Sequence, residues 1–154
     1  MWDKLRKQIG VELEQLDRLF EVHRPLLDKA REMPPNDIEL SALAAFLHSF
    51  YTGIENIFKR VAVEVDGLPP QGESWHRELL TSMAERTTTR PPALSPGLAA
   101  RLMEYLQFRH FFRHAYSFLL QWSKMRPLVV GCEDTLAEFR AEIESFLRHA
   151  SPPG

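Results

Sequence analysis

The sequence predicts an all-α protein, an up-down bundle of four long helices and one short helix. Two observations support this fold class. Apolar residues recur at intervals of three and four along four long segments, which is the period of an amphipathic helix. No pair of segments shows the alternation and the turn of a β-hairpin. The chain of 154 residues has the size of one domain, so we expect a single helical domain over residues 1–150 and a frayed tail over residues 151–154.

The first predicted helix runs from Trp2 to about Ala30. Its apolar stripe consists of Trp2, Leu5, Ile9, Leu13, Leu16, Phe20 and Leu27. Pro25 lies inside this segment and removes one backbone donor, so we expect a kink or an interruption near residues 22–24. The Met-Pro-Pro run at residues 33–35 then ends the helix.

The second predicted helix begins with the spacing of a capping box. Asn36 precedes Glu39 by three residues, so Asn36 is the predicted N-cap and the helix starts at Asp37 or Ile38. Its stripe consists of Leu40, Leu43, Leu47, Phe50, Ile54, Ile57, Val61 and Val65. Gly53 inside it costs about 1 kcal/mol relative to alanine. We therefore expect close packing at Gly53, either by another backbone or by a bulky neighbour such as a tryptophan.

The third predicted helix is short, and Ser74 is expected to cap it through Met83. His76 and Arg77 lie in its first turn. They could contribute to a phosphate-facing group, because unpaired amides at a helix N-terminus attract anions. The simpler interpretation is that His76 bonds to a neighbouring loop. The threonine- and proline-rich segment 85–95 that follows is predicted to be a mobile surface loop.

Capping residues also set the last two predicted helices. Ser95 followed by Pro96 is a strong helix start, and we expect that fourth helix to end between His114 and Leu120. Ser123 is the expected cap of the fifth helix, whose stripe consists of Val129, Cys132, Leu136, Phe139, Ile143 and Phe146.

Composition and charge narrow the possible functions. The formal net charge is −2, whereas proteins that bind long nucleic acids by neutralising phosphates usually carry a basic excess. If RNA binds, the basic residues must be concentrated locally, and the local set is Arg109, Arg113, Lys124 and Arg126. The single cysteine, Cys132, permits neither an internal disulfide nor a cysteine-based zinc site. No apolar run is as long as a membrane span, and residues 1–16 lack a signal-peptide core, so we expect a cytoplasmic protein.

Residues 107–118, QFRHFFRHAYSF, place charged and imidazole side chains inside a packing stripe. Arg109 falls on the line of the apolar residues Leu98, Leu102, Tyr105, Phe112 and Tyr116. A buried guanidinium requires an anion, a carboxylate or a solvated cleft. His110 and His114 are four residues apart and share a face, and Arg109 and Tyr116 are about two turns apart. We therefore expect this helix to face a cleft or a second subunit.

The residues alone leave three interpretations of this segment open. The polar side chains could belong to a solvated helix end whose phenylalanines lie in the core. His110 and His114 could be an i, i+4 metal pair, although zinc catalysis usually needs a third ligand and no H-E-x-x-H pattern is present. The third interpretation is RNA cleavage without a metal, in which histidine transfers protons and arginine binds phosphate oxygens. No motif supports a serine or cysteine nucleophile or a glycine-rich phosphate loop.

The spacing Arg109-x4-His114-x-Tyr116 resembles the R-x4-H-x-Y motif of the HEPN superfamily, in particular the HepT-like ribonuclease toxins. Three further segments are similar to that family: YTGIENIFKRVAVEVDG at 51–67, SWHRELL at 74–80 and RPP at 90–92. The resemblance implies an endoribonuclease toxin that needs no cofactor or metal, with an RNA substrate and no DNA or membrane partner.

The resemblance also implies residue roles and partners. His114 would be the general acid or base and Arg109 the phosphate clamp, while His110 stands where family members often have asparagine. Tyr116 would accept AMP from a partner minimal nucleotidyltransferase, the cognate antitoxin. A homodimer would place two such motifs around one cleft. The alternative is a non-catalytic helical adaptor or nucleotide-binding module that partners a nucleotidyltransferase, and the absence of a basic excess favours it.

Overall fold

A computed structural model describes residues 1–151 and confirms the all-α prediction. The helices are α1 (Trp2–Glu32), α2 (Asp37–Val61), α3 (Trp75–Met83), α4 (Pro96–His114) and α5 (Trp122–Ala150). A π-helical turn, Ala62–Asp66, continues α2, and a 3-10 turn, Ser117–Leu119, precedes α5. The described residues contain no β-strand, and none of their helices has the length and apolar character needed to cross a membrane.

The second helix is the centre of the bundle, because it contacts each of the other four helices. Its buried side chains cover about half of the circumference of the helix, a wider face than a single stripe, as expected of a helix packed against several others. They include Phe46, Phe50, Tyr51, Ile54, Ile57 and Phe58. The third and fourth helices therefore both pack directly against α2.

Two local predictions for α2 are confirmed. Asn36 Oδ1 accepts the backbone N–H of Glu39 at 2.8 Å, and Glu39 Oε1 accepts that of Asn36 at 3.0 Å, which completes the capping box. A Cβ atom added at Gly53 would lie 2.6 Å from Leu16 Cδ2. The glycine thus allows α1 and α2 to pack closely, as its position inside an apolar stripe predicted.

Two predicted serine caps are not formed, and of the two outcomes expected at Pro25 the interruption does not occur. Helix α1 passes through Pro25 without interruption, because buried residues on both sides of the proline, Phe20 and Leu27, hold it against the core. Ser74 occupies the N-cap position of α3, but its hydroxyl donates to Glu78 Oε1 at 3.2 Å instead of capping the backbone. Helix α5 begins at Trp122, one residue before the serine expected to cap it.

The cap of α4 was predicted correctly. Ser95 is its N-cap, with Oγ accepting the backbone N–H of Leu98 at 3.2 Å, and Pro96 is its first residue. The helix ends at His114, within the predicted interval. The carboxylate of Glu142 on α5 also accepts from the Ser95 backbone N–H at 2.6 Å, so the start of α4 is fixed to α5.

The segment before α4 is a loop, as predicted, and residues 85–89 are mostly exposed, but its second half is partly buried. Arg90 is only 3% exposed, and Ala93 and Leu94 are also buried. The Arg90 guanidinium donates to both carboxylate oxygens of Asp66, at 2.8 and 3.1 Å, and to nearby carbonyl oxygens. The composition did not indicate this burial, because it depends on one arginine and two apolar residues among polar and proline residues. The predicted frayed tail lies outside the described residues apart from Ser151.

Candidate functional site

A cleft of about 330 Å³ lies between the start of α3 and the C-terminal half of α4. Its lining residues are Glu73, Ser74, His76, Arg77, Leu106, Gln107, Arg109, His110, Arg113 and His114. The structure therefore brings together the three residues predicted to be catalytic. Three arginines and one carboxylate line the cleft, so its formal charge is positive although the net charge of the chain is −2.

The guanidinium of Arg109 is half-buried and held by α2. Its Nε donates to the hydroxyl of Thr52 at 3.3 Å, and that hydroxyl donates to the carbonyl of His48 at 2.9 Å. Within residues 1–151 no carboxylate lies within 4 Å of Arg109. The guanidinium of Arg109, which the sequence placed on a packing stripe, therefore faces a solvated cleft. It is available to bind an external anion.

The field of these arginines extends into α2. Burial lowers the pKa of His48, and the charges of Arg109 and Arg113 lower it further. Burial, followed by the nearby Glu55, raises the pKa of Tyr51 well above its usual range. Both effects keep these two side chains neutral at physiological pH, so His48 adds no positive charge and Tyr51 adds no negative charge near the cleft.

His114 and His110 lie at the exposed end of α4. His114 Nδ1 donates to the carbonyl of His110 at 2.8 Å, and the two ring centroids are 4.6 Å apart. Since Nδ1 carries the proton, neutral His114 presents a free lone pair on Nε2. Among residues 1–151 no third His, Cys, Asp or Glu is placed to complete a metal site with this pair.

His76 was considered, with Arg77, for a phosphate-facing group, although a bond to a neighbouring loop was the simpler expectation, and the structure places both residues in the lining of the cleft. Its Nδ1 lies 2.8 Å from Glu55 Oε2 on α2, so it contacts a helix rather than the neighbouring loop that was expected. Trp75 stacks on the His76 ring with centroids 3.5 Å apart. The only sequence feature that could have indicated this contact is Glu55, a carboxylate on an otherwise apolar side of α2.

The four basic residues predicted to bind RNA do not lie together. Arg109 and Arg113 line the cleft, together with Arg77, which that set did not include. Lys124 lines a separate groove of about 500 Å³ between α4 and the start of α5, whose walls include Phe108, Phe111 and Leu119. This larger groove is mainly apolar and contains no histidine. The smaller cleft therefore holds the histidines and three arginines, and Arg126 on α5 lines neither cavity.

Tyr116 lies beyond the end of α4, so the expectation that it projects with Arg109 along one helical face is wrong. The helix stops at His114, and Ala115 is extended, which lets the chain turn and bury Leu120. Tyr116 is 74% exposed and stacks on Phe118, with centroids 5.4 Å apart. The structure therefore places Tyr116 outside the lining of the cleft, two residues past His114.

Comparison with known proteins agrees with the resemblance of the motif. A family model described as HepT-like protein matches residues 42–150, which is more than half of the chain. The match includes all the cleft residues and Tyr116 and begins within α2. Neither the curated proteins nor the solved structures contain a significant match.

Proposed function

The chain belongs to the HepT-like family of HEPN proteins, and from this premise we propose that it is an endoribonuclease toxin that cleaves RNA without a metal. The observation that carries the proposal is the cleft shared by Arg109 and His114. It combines a cation without a carboxylate partner and an imidazole with a free Nε2. These are the groups needed to bind a phosphodiester and to transfer a proton beside it.

The reaction is an attack by the substrate's own 2′-hydroxyl on the adjacent phosphorus. A bond forms between the 2′-oxygen and phosphorus, the bond to the 5′-oxygen breaks, and the products are a 2′,3′-cyclic phosphate and a 5′-hydroxyl. One proton leaves the 2′-hydroxyl and another joins the 5′-oxygen. Arg109 stabilises the additional negative charge on the phosphorane oxygens, and His114 transfers one of the protons. The second proton requires another group, for which His110 is the nearest candidate on α4.

A homodimer fits the exposed end of α4. Phe111 and Leu119, near the cleft, are large apolar residues that remain partly exposed in the single chain, and they line the 500 Å³ groove beside it. Pairing of two such ends around a twofold axis would bury this apolar surface and bring two arginine–histidine sets to one composite cleft.

We further propose that a partner nucleotidyltransferase inactivates the toxin by AMP transfer to Tyr116. Of the three tyrosines, Tyr51 and Tyr105 are buried, whereas Tyr116 is exposed. Each AMP adds a negative phosphate and a base to a residue only two positions beyond His114 of the positive cleft. Modification would therefore compete with RNA by charge and by bulk.

The test is expression of the chain alone and together with the cognate nucleotidyltransferase. We expect growth arrest from the wild-type chain, relief of the arrest by His114→Ala, and RNA fragments with 2′,3′-cyclic phosphate ends formed in the presence of EDTA. Loss of cleavage in EDTA with recovery on adding a divalent metal would instead support a metal site at His110 and His114. A chain that leaves RNA intact in every condition contradicts the proposal.

One observation favours a second candidate, a non-catalytic module that binds the nucleotidyltransferase. The net charge of −2 provides no general attraction for RNA. Such a module would form the complex with the transferase equally well with His114→Ala and would not arrest growth in its absence. These two results together separate the candidates.

A further inference from the structure

Glu55 is the only carboxylate that residues 1–151 bury in the core. It is 2% exposed and lies on α2 among Tyr51, Ile54 and Phe58, which are fully buried. Burial of a carboxylate is costly unless a partner compensates it, and here the partner is His76. An apolar residue at this position would avoid the cost, so the pair requires an explanation beyond packing.

The pair fixes one histidine ring in the wall of the cleft. The Glu55 carboxylate accepts from His76 Nδ1 at 2.8 Å, and Trp75 covers one face of the ring. The ammonium of Lys59 lies 4.9 Å from the centre of the Trp75 ring and thereby holds the indole. With Nδ1 protonated toward Glu55, neutral His76 has a lone pair on Nε2, which forms no hydrogen bond within the described part of the chain.

The proposed cleavage reaction needs a second proton-transfer group, and two histidines could supply it. His110 is exposed, and no side chain or backbone group of residues 1–151 orients its ring by a hydrogen bond. His76 lines the same cleft as Arg109 and His114 and is oriented from behind. A carboxylate behind a histidine selects one tautomer and stabilises the imidazolium that forms when the ring accepts a proton.

We propose that His76, oriented by Glu55, is the general base of the cleft and that His114 is the general acid. This inference rests on the proposed ribonuclease function. His76 Nε2 removes the proton of the 2′-hydroxyl as the bond between the 2′-oxygen and phosphorus forms. Protonated His114 donates its proton to the 5′-oxygen as the bond between phosphorus and that oxygen breaks. Solvent then takes the proton from His76 and returns one to His114, so the cycle balances. Glu55 is a positioning residue.

The test uses two sets of oligoribonucleotides that together contain every dinucleotide junction. One set has ordinary linkages, and in the other sulfur replaces the 5′-bridging oxygen at the scissile position. A thiolate departs without protonation, so sulfur compensates for a missing general acid but not for a missing general base. His76→Asn is the main variant, because the asparagine amide can still donate to Glu55 near the position of Nδ1. His149→Ala, far along the chain on α5, is the control.

We expect His76→Asn to lower the cleavage rate about 100-fold or more on both sets, the usual scale for loss of a general base. His114→Ala should lower it similarly on the oxygen set and regain nearly the wild-type rate on the sulfur set. Glu55→Gln should also lower both rates, by about tenfold or more, because the charge behind the ring is lost and the tautomer of His76 is no longer fixed. The His149→Ala control should match the wild type on both sets.

Three results would overturn the assignment while leaving the ribonuclease proposal intact. In the first, His76→Asn cleaves at the wild-type rate. In the second, His76→Asn regains its rate on the sulfur set. In the third, His110→Ala, and not His76→Asn, loses activity on both sets. If His76→Asn does not fold, as judged by circular dichroism, Glu55→Gln decides: equal loss on both sets supports the assignment, and unchanged rates overturn it. A wild-type chain that cleaves neither set overturns both the assignment and the ribonuclease proposal.

Discussion

The two walls of the cleft differ in how firmly they are held. On the α3 side, His76 is paired with a buried carboxylate and covered by an indole. On the α4 side, His110 and His114 are exposed at a helix end, and only Arg109 is tied to α2. A substitution in the first wall therefore affects stability and chemistry together, whereas one at the end of α4 can change chemistry alone.

The largest expected effect comes from the support behind the α3 wall. Arg90→Ala removes the ion pair that ties the segment before α4 to Asp66 at the end of the π-helical turn. Loss of one partner of a buried pair should lower the free energy of unfolding by about 3 kcal/mol. Urea denaturation followed by circular dichroism measures this change. Arg86→Ala, at an exposed arginine of the same segment, should leave it nearly unchanged.

Cys132 provides a second measurement of the same change. It is buried, and burial raises the pKa of its thiol to about 12, so alkylation at pH 8 requires opening of the core. The Arg90→Ala chain should be alkylated faster than both the wild type and the Arg86→Ala control. Equal alkylation rates in all three chains would show that the Arg90–Asp66 pair contributes little to stability.

The next largest effect tests the exposed wall. His114→Ala should lower RNA cleavage about 100-fold or more and change the free energy of unfolding by less than about 0.5 kcal/mol, as expected of an exposed residue. His149→Ala is a matched control, because His149 is also exposed near a helix end and its Nδ1 bonds to the carbonyl four residues earlier, at 2.9 Å. Unfolding of His114→Ala, or cleavage at the wild-type rate, would contradict the distinction between the walls.

A smaller effect is expected where the α4 wall meets α2. Thr52→Val removes the hydroxyl that accepts from Arg109 Nε but leaves the guanidinium charged. Loss of one hydrogen bond to a charged group should lower kcat/KM by roughly tenfold. Thr135→Val is the control, since its hydroxyl makes the same kind of bond, to the carbonyl of Gly131 four residues earlier at 2.8 Å, on α5 and outside the lining of the cleft. Equal kinetics for the two variants would argue against a positioning role for Thr52.

The smallest effect on chemistry is expected at Tyr116. Tyr116→Phe should change the cleavage rate by less than about twofold and the free energy of unfolding by less than about 0.5 kcal/mol. The reason is that the side chain is exposed and outside the lining of the cleft. The same change should abolish AMP transfer, as measured by intact-mass spectrometry after incubation with the cognate nucleotidyltransferase, ATP and magnesium. AMP found on another residue, with Tyr116→Phe still neutralised, would favour inhibition by complex formation alone.

The sequence predicted those features of the molecule that depend on local spacing. The capping box at Asn36 and the helix start at Ser95 are set by residues no more than three apart. Arg109 and His114 line the same cleft because they are only five residues apart, near the end of one helix. Gly53 was also interpreted correctly, because a glycine inside an apolar stripe implies a close neighbour.

The features that sequence reasoning missed depend on contacts between distant residues. Glu55 and His76 are 21 residues apart and on different helices, so no helical period relates them. The pairing of Arg90 with Asp66 spans 24 residues and buries a segment whose composition is typical of a loop. The projection of Tyr116 was wrong because the helical period was extended past His114, where the chain leaves the helix to bury Leu120.

The stacking of Trp75 on His76 gives the cleft an optical signal of its own. An indole 3.5 Å from an imidazole is sensitive to the charge and solvation of that ring, because protonated imidazole quenches indole fluorescence. The chain has two other tryptophans, Trp2 and Trp122, whose emission can be subtracted with a Trp75→Phe variant. Emission from Trp75 would then follow the occupation of the cleft in real time, without a label attached to the protein or to the nucleic acid.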